Sequence, residues 1–486
     1  MRRSRFVLAL VIIGFLVYFP SLFGQFIWDD EDFITSNRYV HAMQVGKFFT
    51  ENAIAGRGKS SDYYRPLQLT INALLYQIGG NTPWIYHLSS VLLHLGAAVC
   101  VYYLLLFILP GLPEVAWTGA VFFLVHPVQT EVVSYASGIS DSLLVIFSCL
   151  ALLAGLTRPT AIKSFAAAVI FFVLALLSKE TGLLVIGLAV LIVAFSWSSQ
   201  RRRRLPVIAA WTIIGLIYWW LRHTLFQFGD IARDWGNNPY AHRVMIRLAT
   251  FAHSFFTYLS ILIFPKDLFM ERDMSITIAQ SPLNLWVGLF IVTNAVILWL
   301  SRSRQLRLLW LAFILTLAPY TGIVLINGVF YEHFLYFPLV FFWAFVLTTL
   351  RRWLKHPAFI TALTILIVAL TVRSYLRQSD WIDNLRFYQQ TLAHAPTSIR
   401  VINNLGMELA NRGRFDQAIS VYQYGLKLDQ RTPQLYHNLA NAYQALGKYQ
   451  LAVQYYQRAL RVDPRFSFSR QALDQLYRTQ PALRHQ

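Results

Sequence analysis

The fold is decided by an apolar stretch and the acidic stretch behind it, Phe6-Val-Leu-Ala-Leu-Val-Ile-Ile-Gly-Phe-Leu-Val-Tyr-Phe-Pro-Ser-Leu-Phe23 and Phe26-Ile-Trp-Asp-Asp-Glu-Asp-Phe-Ile34. The first, about 18 residues long, can cross the hydrocarbon core of a bilayer. The second carries four consecutive carboxylates, whereas the whole chain of 486 residues holds only 23 Asp and Glu. Such an acidic cluster beside a membrane requires a functional explanation.

The composition is that of a polytopic membrane protein. Hydrophobic residues make up 56% of the chain and charged residues 13%, whereas soluble domains carry about 25% charged residues. The net charge of +19 comes from Arg and Lys that lie between apolar stretches. There they fix membrane topology, so nucleic-acid binding is disfavoured. The two cysteines lie inside apolar stretches and indicate no disulfide framework.

The basic residues orient the chain in the membrane. Arg201-Arg-Arg-Arg204 marks the cytoplasmic side, and Arg2–Arg5 place the N-terminus there ahead of an uncleaved first span. We predict about 11 spans up to residue 375. An interfacial helix is expected at Leu67–Ile78, and a re-entrant or interfacial one at 249–264, because a crossing there would break the alternation of sides. The segments 24–84 and 227–243 then lie outside.

The C-terminal segment 376–486 is soluble and repetitive. Asn403-Asn-Leu-Gly406 recurs as His437-Asn-Leu-Ala440 at an offset of 34 residues, which is the tetratricopeptide period. Full repeats are predicted at about 399–432 and 433–466, with half a repeat before them and a capping helix after them. Stacked helix pairs of this kind form a solenoid with a concave face. With 11 spans, this domain is extracytoplasmic.

Charged and imidazole side chains collect at the predicted outer edges of the spans, while the cytoplasmic loops hold mostly Arg and Lys. Such residues usually face a wet cavity and mark function, since charge near the bilayer is costly. Paired carboxylates beside cations suit a reaction that needs a base and a phosphate leaving group. This combination fits sugar transfer from a polyprenyl-phosphate carrier. The outer-edge set comprises Asp29, Asp30, Glu31, Asp32, Arg65, His126, Glu131, Asp141, Lys179, Glu180, Glu332 and His333.

Several ordered motifs resemble one family, the transmembrane and tetratricopeptide repeat proteins. These are GT-C-type glycosyltransferases similar to protein O-mannosyltransferases. The family usually has Arg after the acid that corresponds to Glu332, whereas this chain has His333. The motifs that carry the resemblance are Trp28-Asp-Asp30 with Asn37, Tyr64-Arg-Pro66, His87 with Leu92-Leu-His94, His126-Pro127 with Glu131, Ser178-Lys-Glu180 and Glu332-His-Phe-Leu-Tyr336.

The resemblance implies an all-α GT-C-type bundle with an inverting, lipid-phosphate-dependent mechanism. Asp29 is our first choice for the catalytic base, with Asp30 beside it. Lipid-phosphate contacts are expected from Arg65, Lys179, Tyr64 and His333. Supporting roles are expected for His126, Glu131, Glu180 and Glu332. A divalent metal, if one is used, would be held by Asp30, His126 and Glu131.

The resulting hypothesis is a membrane glycosyltransferase that moves a sugar from a polyprenyl-phosphate donor to a protein or glycan on the extracytoplasmic face. The compact chain favours a bacterial enzyme of the inner membrane. One alternative is a non-catalytic scaffold whose repeats recruit envelope-assembly partners. A transporter of lipid-linked sugars is a weaker alternative, because the spans show few mid-span charges and no duplicated halves. The sequence leaves the sugar, the acceptor and the oligomeric state open.

Overall fold

The structure is a computed structural model, and it describes residues 2–195, 201–224, 239–272, 283–326 and 328–485. Most of the segment 227–243, expected on the outer face, lies outside these ranges. The chain forms two compact units, Met1–Leu268 with Met274–Ile382, and Phe269–Asp273 with Asp383–Gln486. The described residues contain helices and turns but no β-strand. This agrees with the all-α class that the sequence predicts.

The first unit is a helical bundle that also contains the polar loop after the first helix. Pro83, Pro113 and Pro357 each begin a helix, a position where proline's missing N–H costs nothing and its fixed φ is helical. The helices are α1 (Arg2–Tyr18), α2 (Arg38–His41), α3 (Val45–Thr50), α4 (Pro66–Gly79), α5 (Pro83–Ile108), α6 (Pro113–Val125), α7 (Thr130–Ser134), α8 (Ile139–Thr157), α9 (Ile162–Ser178), α10 (Leu184–Phe195), α11 (Arg201–Thr224), α12 (Pro239–His242), α13 (Val244–Ile263), α14 (Leu283–Leu300), α15 (Arg304–Leu317), α16 (Pro338–Thr349), α17 (Pro357–Arg377) and α18 (Ser379–Ile382).

Helices α5, α6 and α8 form the centre of this bundle. Helix α8 packs on α5 and α9, while α6 packs on α5 and α16. Nine residues of α6 are buried, among them Phe122, which stacks on Trp343 of α16 with ring centroids 3.9 Å apart. Helix α14 has no buried residue. It packs along α13 through Phe290, and its remaining apolar side chains are exposed, which suits a helix that satisfies its own backbone hydrogen bonds and contacts lipid.

Seven helical segments in the described residues are long and apolar enough to cross a membrane. Four further apolar helices are 10–17 residues long, so the predicted count of about 11 spans stays a prediction. The segment 249–264, expected as a re-entrant or interfacial helix, belongs to the continuous 20-residue helix α13, which is long enough to cross. The seven segments are Ser4–Phe23, Pro83–Ile108, Ala136–Thr157, Arg201–Thr224, Val244–Ile263, Leu283–Leu300 and Pro357–Ile382.

The loop after α1 folds around a small core of its own. Phe33, Ile34 and Phe48 are buried there, and Leu69 and Ala73 of α4 pack against them. The predicted interfacial helix 67–78 therefore buries part of its apolar face against this loop. Asn37 stabilises the conformation of the loop, because its Oδ1 accepts hydrogen bonds from two backbone N–H groups while its Nδ2 donates to two backbone carbonyls. The core and Asn37 together hold the loop, and the acidic cluster within it, in a defined conformation.

The second unit is a stack of antiparallel helix pairs, and two glycines with left-handed backbones end the first helix of each pair. Gly413 and Gly447 have φ of 73° and 72°, a conformation that glycine adopts without steric cost. Ala418 and Ala452 are fully buried where the paired helices approach. The helices are α19 (Asn384–His394), α20 (Ile399–Asn411), α21 (Phe415–Leu428), α22 (Pro433–Ala445), α23 (Tyr449–Val462) and α24 (Ser467–Thr479).

Candidate active site

Asp30 has a buried carboxylate, and both of its oxygens accept hydrogen bonds from other residues of the protein. Its Oδ1 accepts from the backbone N–H of Ser137 at 2.8 Å and from the Ser137 hydroxyl at 2.5 Å. Its Oδ2 accepts from the Ile27 N–H at 2.9 Å. Burial raises the pKa of Asp30 to about 7, against the effect of these three donors. Through its hydrogen bonds with Ser137, Asp30 therefore connects the acidic stretch to the turn before α8.

Asp29 lies beside it in a different environment. Its side chain is half-buried, and its backbone N–H donates to the Tyr135 hydroxyl at 3.1 Å. The preceding residue, Trp28, has a φ of 55°. A left-handed backbone at a bulky residue is strained, and such strain is concentrated at functional sites. The neighbouring aspartates thus separate into a fully buried carboxylate at Asp30 and a half-buried residue at Asp29.

Glu31 and Asp32 face outward and pair with cations of the same loop. Arg57 Nη2 lies 2.5 Å from Glu31 Oε1, and Lys59 Nζ lies 2.8 Å from Asp32 Oδ1. These are surface ion pairs, which contribute little to stability. Asp29 stays our first candidate for the catalytic base, because it lies in the same neighbourhood as Arg65.

Arg65 is a half-buried cation that makes no ion pair within 4 Å to a described residue, although its charge also acts on the carboxylate of Glu180. Its guanidinium lies over the ring of Tyr63, 4.6 Å from the centroid, and its Nε has no hydrogen-bond partner there. Arg65 and Asp29 share a neighbourhood, because both act on the pKa of Tyr63, which burial raises. Both also act on the pKa of Tyr135, which is likewise raised by burial. Positive charge is therefore available close to Asp29.

A network of ion pairs holds the backbone that carries Arg65. Glu180 Oε1 accepts from the Tyr64 N–H at 2.9 Å and lies 3.1 Å from Arg222 Nη1. Arg222 Nη2 also reaches Asp62, 3.3 Å from its Oδ2, and donates to its carbonyl. Tyr64 is buried, and its hydroxyl donates to the Phe49 carbonyl at 3.2 Å. Tyr64 and Glu180 thus have structural partners here.

Lys179 pairs with Asp141 instead of its sequence neighbour Glu180. Its Nζ lies 2.7 and 2.8 Å from the two carboxylate oxygens, and both side chains are buried. This pair joins the turn after α9 to the first turn of α8. The positive charge of Lys179, which we expected to be available for a lipid phosphate, is largely compensated by Asp141.

Glu131 and His333 form a close buried contact. Oε1 of Glu131 lies 2.5 Å from Nδ1 of His333, and Oε2 accepts from the His333 backbone N–H at 3.0 Å. Burial raises the pKa of Glu131 to about 8. Burial and the charge of Lys179 lower the pKa of His333 to about 3. The two residues therefore share one proton with no net charge at neutral pH.

Glu332 pairs with a buried arginine from the last long helix. Arg377 Nη2 of α17 lies 2.6 Å from Glu332 Oε2, and Arg377 Nη1 donates to the Pro127 carbonyl at 2.6 Å. His126 is fully buried, with Nε2 3.1 Å from the Leu262 carbonyl and Nδ1 accepting from the Val128 N–H. Glu332 and His126 thus make contacts between segments that are far apart in the sequence.

The residues suggested for a metal do not come together. Asp30 is bonded to Ile27 and Ser137, while His126 and Glu131 have the separate partners described above. In the described ranges, no group of three or more His, Cys, Asp or Glu is arranged to hold an ion. The metal set expected from the sequence, Asp30 with His126 and Glu131, is therefore not supported by this geometry.

Four residues that shape this region were not among the site residues predicted from the sequence. Tyr135 and Ser137 hold Asp29 and Asp30, Arg222 holds the Arg65 loop, and Arg377 pairs with Glu332. Arg222 and Arg377 could have been found from the sequence, since each is a cation near the C-terminal end of an apolar helix. Tyr135 and Ser137 had none, because they act through contacts more than 100 positions apart in the chain.

Comparison with known proteins agrees with the motif resemblance. The chain is 24% identical to a protein O-mannosyl-transferase of Caenorhabditis elegans over 87% of its length, covering 63% of that protein. It is also 24% identical to protein O-mannosyl-transferase TMTC4 of Mus musculus and of Homo sapiens, over 85% and 84% of its length and 66% and 64% of theirs. The chain thus spans about two thirds of these relatives.

The repeats also match known family models. Residues 433–466 match the tetratricopeptide repeat model, and residues 406–447 match a second model described as TPR repeat. The predicted resemblance to transmembrane and tetratricopeptide repeat proteins is confirmed by these similarities together with the helical repeat unit.

Proposed function

We propose that the chain is a membrane glycosyltransferase that transfers a sugar from a polyprenyl-phosphate donor to a protein, on the extracytoplasmic face. The names of its relatives support mannose as the sugar and a protein as the acceptor. The residue charges support a lipid phosphate as the carrier. A bacterial inner-membrane location and an inverting GT-C-type mechanism belong to the same proposal.

The main observation in support of this proposal is that Arg65, unlike its neighbouring cations, makes no ion pair within 4 Å to a described residue. Nearby cations are compensated, because Lys179 pairs with Asp141 and Arg222 pairs with Glu180 and Asp62. The Arg65 guanidinium makes no ion pair or hydrogen bond to any residue that the structure describes. A half-buried unpaired guanidinium is a suitable partner for a phosphate, which it can bind through two parallel hydrogen bonds.

Asp29 completes the proposed reaction. An inverting transfer needs a base that takes the proton of the acceptor hydroxyl as it attacks the anomeric carbon. Asp29 is half-buried in the loop, and its backbone is fixed by the contact with Tyr135. Arg65 would stabilise the negative charge that develops on the departing phosphate. Asp30 keeps its structural role and takes no part in the proton transfer.

A binding experiment tests the phosphate site. The full chain in lipid nanodiscs is titrated with polyprenyl phosphate, and Arg65→Gln is compared with Arg57→Gln, which changes a surface cation in the same loop. Arg65→Gln should weaken binding at least about tenfold, or ~1.4 kcal/mol, while Arg57→Gln should bind as the native chain does. Equal affinity of both variants and the native chain would favour the non-catalytic scaffold instead.

A further inference from the structure

The contact between Glu131 and His333 leaves one imidazole nitrogen available. Glu131 is fully buried on α7, and its two oxygens contact Nδ1 and the backbone N–H of His333. Two contacts to one carboxyl group fix both the position and the rotation of the ring. Tyr331 stacks on it at 5.1 Å, and Phe334 meets it edge-on at 4.8 Å. Nε2 of His333 makes no hydrogen bond to any residue that the structure describes.

The exposed part of the imidazole belongs to the same polar region as Arg65. About a quarter of the His333 side chain, 24%, is exposed. The charges of Lys179, Asp141 and Arg65 all act on it. The phosphate proposed for Arg65 would therefore lie near an imidazole whose other nitrogen is bound to a buried acid.

The protonation of the pair determines what Nε2 can do. Because burial raises the pKa of Glu131 to about 8 and lowers the pKa of His333 to about 3, the proton lies on Glu131 at neutral pH. The carboxyl O–H then donates to Nδ1, so the neutral imidazole carries its hydrogen on Nε2. Further titratable or charged groups that act on the pair, or lie on the described elements packed near it, include Arg377, Glu332, Tyr258, Tyr320, Tyr331, His126, His87 and His94.

We propose that Glu131 and His333 form a proton relay that protonates the departing lipid phosphate. This inference rests on the proposed function and extends it to the leaving group. The phosphate monoester that first departs is a dianion, and a proton delivered to one of its oxygens removes one of the two negative charges that develop as the bond breaks. His333 would be the catalytic residue that touches the phosphate, and Glu131 would act through it.

The step balances in protons and charge. The bond between the anomeric carbon and the phosphate oxygen breaks, and its electron pair goes to the phosphate. The Nε2 proton passes to a phosphate oxygen while the Glu131 proton passes to Nδ1. The acceptor hydroxyl forms the new bond to the anomeric carbon and gives its proton to Asp29. Glu131 ends as a carboxylate and Asp29 as an acid, and exchange with water restores both.

Kinetics of the full chain in nanodiscs test the relay, with a polyprenyl-phosphate sugar as donor. Glu131→Gln and His333→Asn should lower kcat by about 10²-fold, the usual contribution of general acid catalysis, and leave the donor KM nearly unchanged. The control Glu114→Gln changes an exposed carboxylate in the first turn of α6 and should have no effect. The native kcat should fall at alkaline pH as the relay loses its proton.

The pH profile separates the relay from a merely structural contact. His333→Arg supplies a permanent charge and no transferable proton, so it should bind the donor but lose the alkaline fall in kcat. Thermal stability is measured for each variant. The relay is overturned if Glu131→Gln keeps the native kcat, or if the residual activity of Glu131→Gln and His333→Arg keeps the native pH profile. Full activity of Asp29→Asn would instead overturn the proposed function itself.

Discussion

The Asp30 carboxylate receives both the backbone N–H and the hydroxyl of Ser137, at 2.8 and 2.5 Å on the same oxygen. This contact joins the loop after the first helix to the turn before α8, across 107 positions of sequence. It separates two adjacent aspartates into different roles, since a carboxylate committed to three buried donors is poorly placed to take a proton from a substrate.

Asp30→Asn should lower the stability of the protein. An amide oxygen can replace Oδ1, but an amide NH₂ cannot accept from the Ile27 N–H, which is left unsatisfied in a buried place. That loss costs about 1–3 kcal/mol. Thermal unfolding in detergent measures it, with Asp32→Asn as the surface control. An unchanged melting temperature for Asp30→Asn would mean that the Ile27 contact does not matter.

The stability that depends on Asp30 should also vary with pH. The folded pKa of about 7 lies above the ordinary aspartate value of 3.8, so between these two values the folded state holds a proton that the unfolded state has lost. Stability from this group is therefore fully present below the unfolded pKa, and it is lost as the pH rises through the folded value. Relative to Asp30→Asn, the native chain should gain melting temperature between about pH 8 and pH 5. A constant difference across this range would contradict the assignment.

The buried pair of Glu332 and Arg377 should be strongly coupled. Arg377→Met leaves a buried carboxylate without its cation and also removes the hydrogen bond to the Pro127 carbonyl, so a loss of about 3–5 kcal/mol is expected. Adding Glu332→Gln should recover part of this loss, because the uncompensated charge disappears. A double-mutant cycle on melting temperature measures the coupling. Strict additivity of the two changes would show that no coupling exists.

Arg222 should act on donor binding through the loop that carries Arg65. Arg222→Gln removes the contacts with Glu180 and Asp62, which hold the backbone at Tyr64. We expect the donor KM to rise about tenfold, or ~1.4 kcal/mol, with a smaller change in kcat. His223→Gln, which alters the exposed next residue, is the control. A rise in KM of the same size in both variants would point to a general effect on α11.

The sequence predicted the elements of this protein better than their contacts. Apolar stretches and the 34-residue offset specify helices and repeats through local periodicity alone. The number of crossings is harder to predict, because helices such as α6 and α16 are short and buried among others. The prediction of a re-entrant or interfacial helix at 249–264 stays a prediction, because it depends on counting every other crossing correctly and helix α13 is itself long enough to cross.

The sequence predicted candidate site residues by their residue type, but it did not predict how they pair. Lys179 was expected to contact a phosphate, yet it lies against Asp141, a partner that only the approach of α8 and the turn after α9 supplies. Asp29 and Asp30 are equivalent in sequence, and Ser137 and Tyr135 distinguish them in space. Long-range contacts of single polar side chains leave no periodic signal in a sequence.

The most direct test of the account is sugar transfer by Asp29→Asn, beside Glu31→Gln as a matched change in the same acidic stretch. The measurement is transfer from a labelled polyprenyl-phosphate sugar to protein, by the full chain in nanodiscs. We expect Asp29→Asn to lose transfer while it keeps its melting temperature and its affinity for polyprenyl phosphate. Glu31→Gln should retain activity. Full transfer by Asp29→Asn would contradict the central claim.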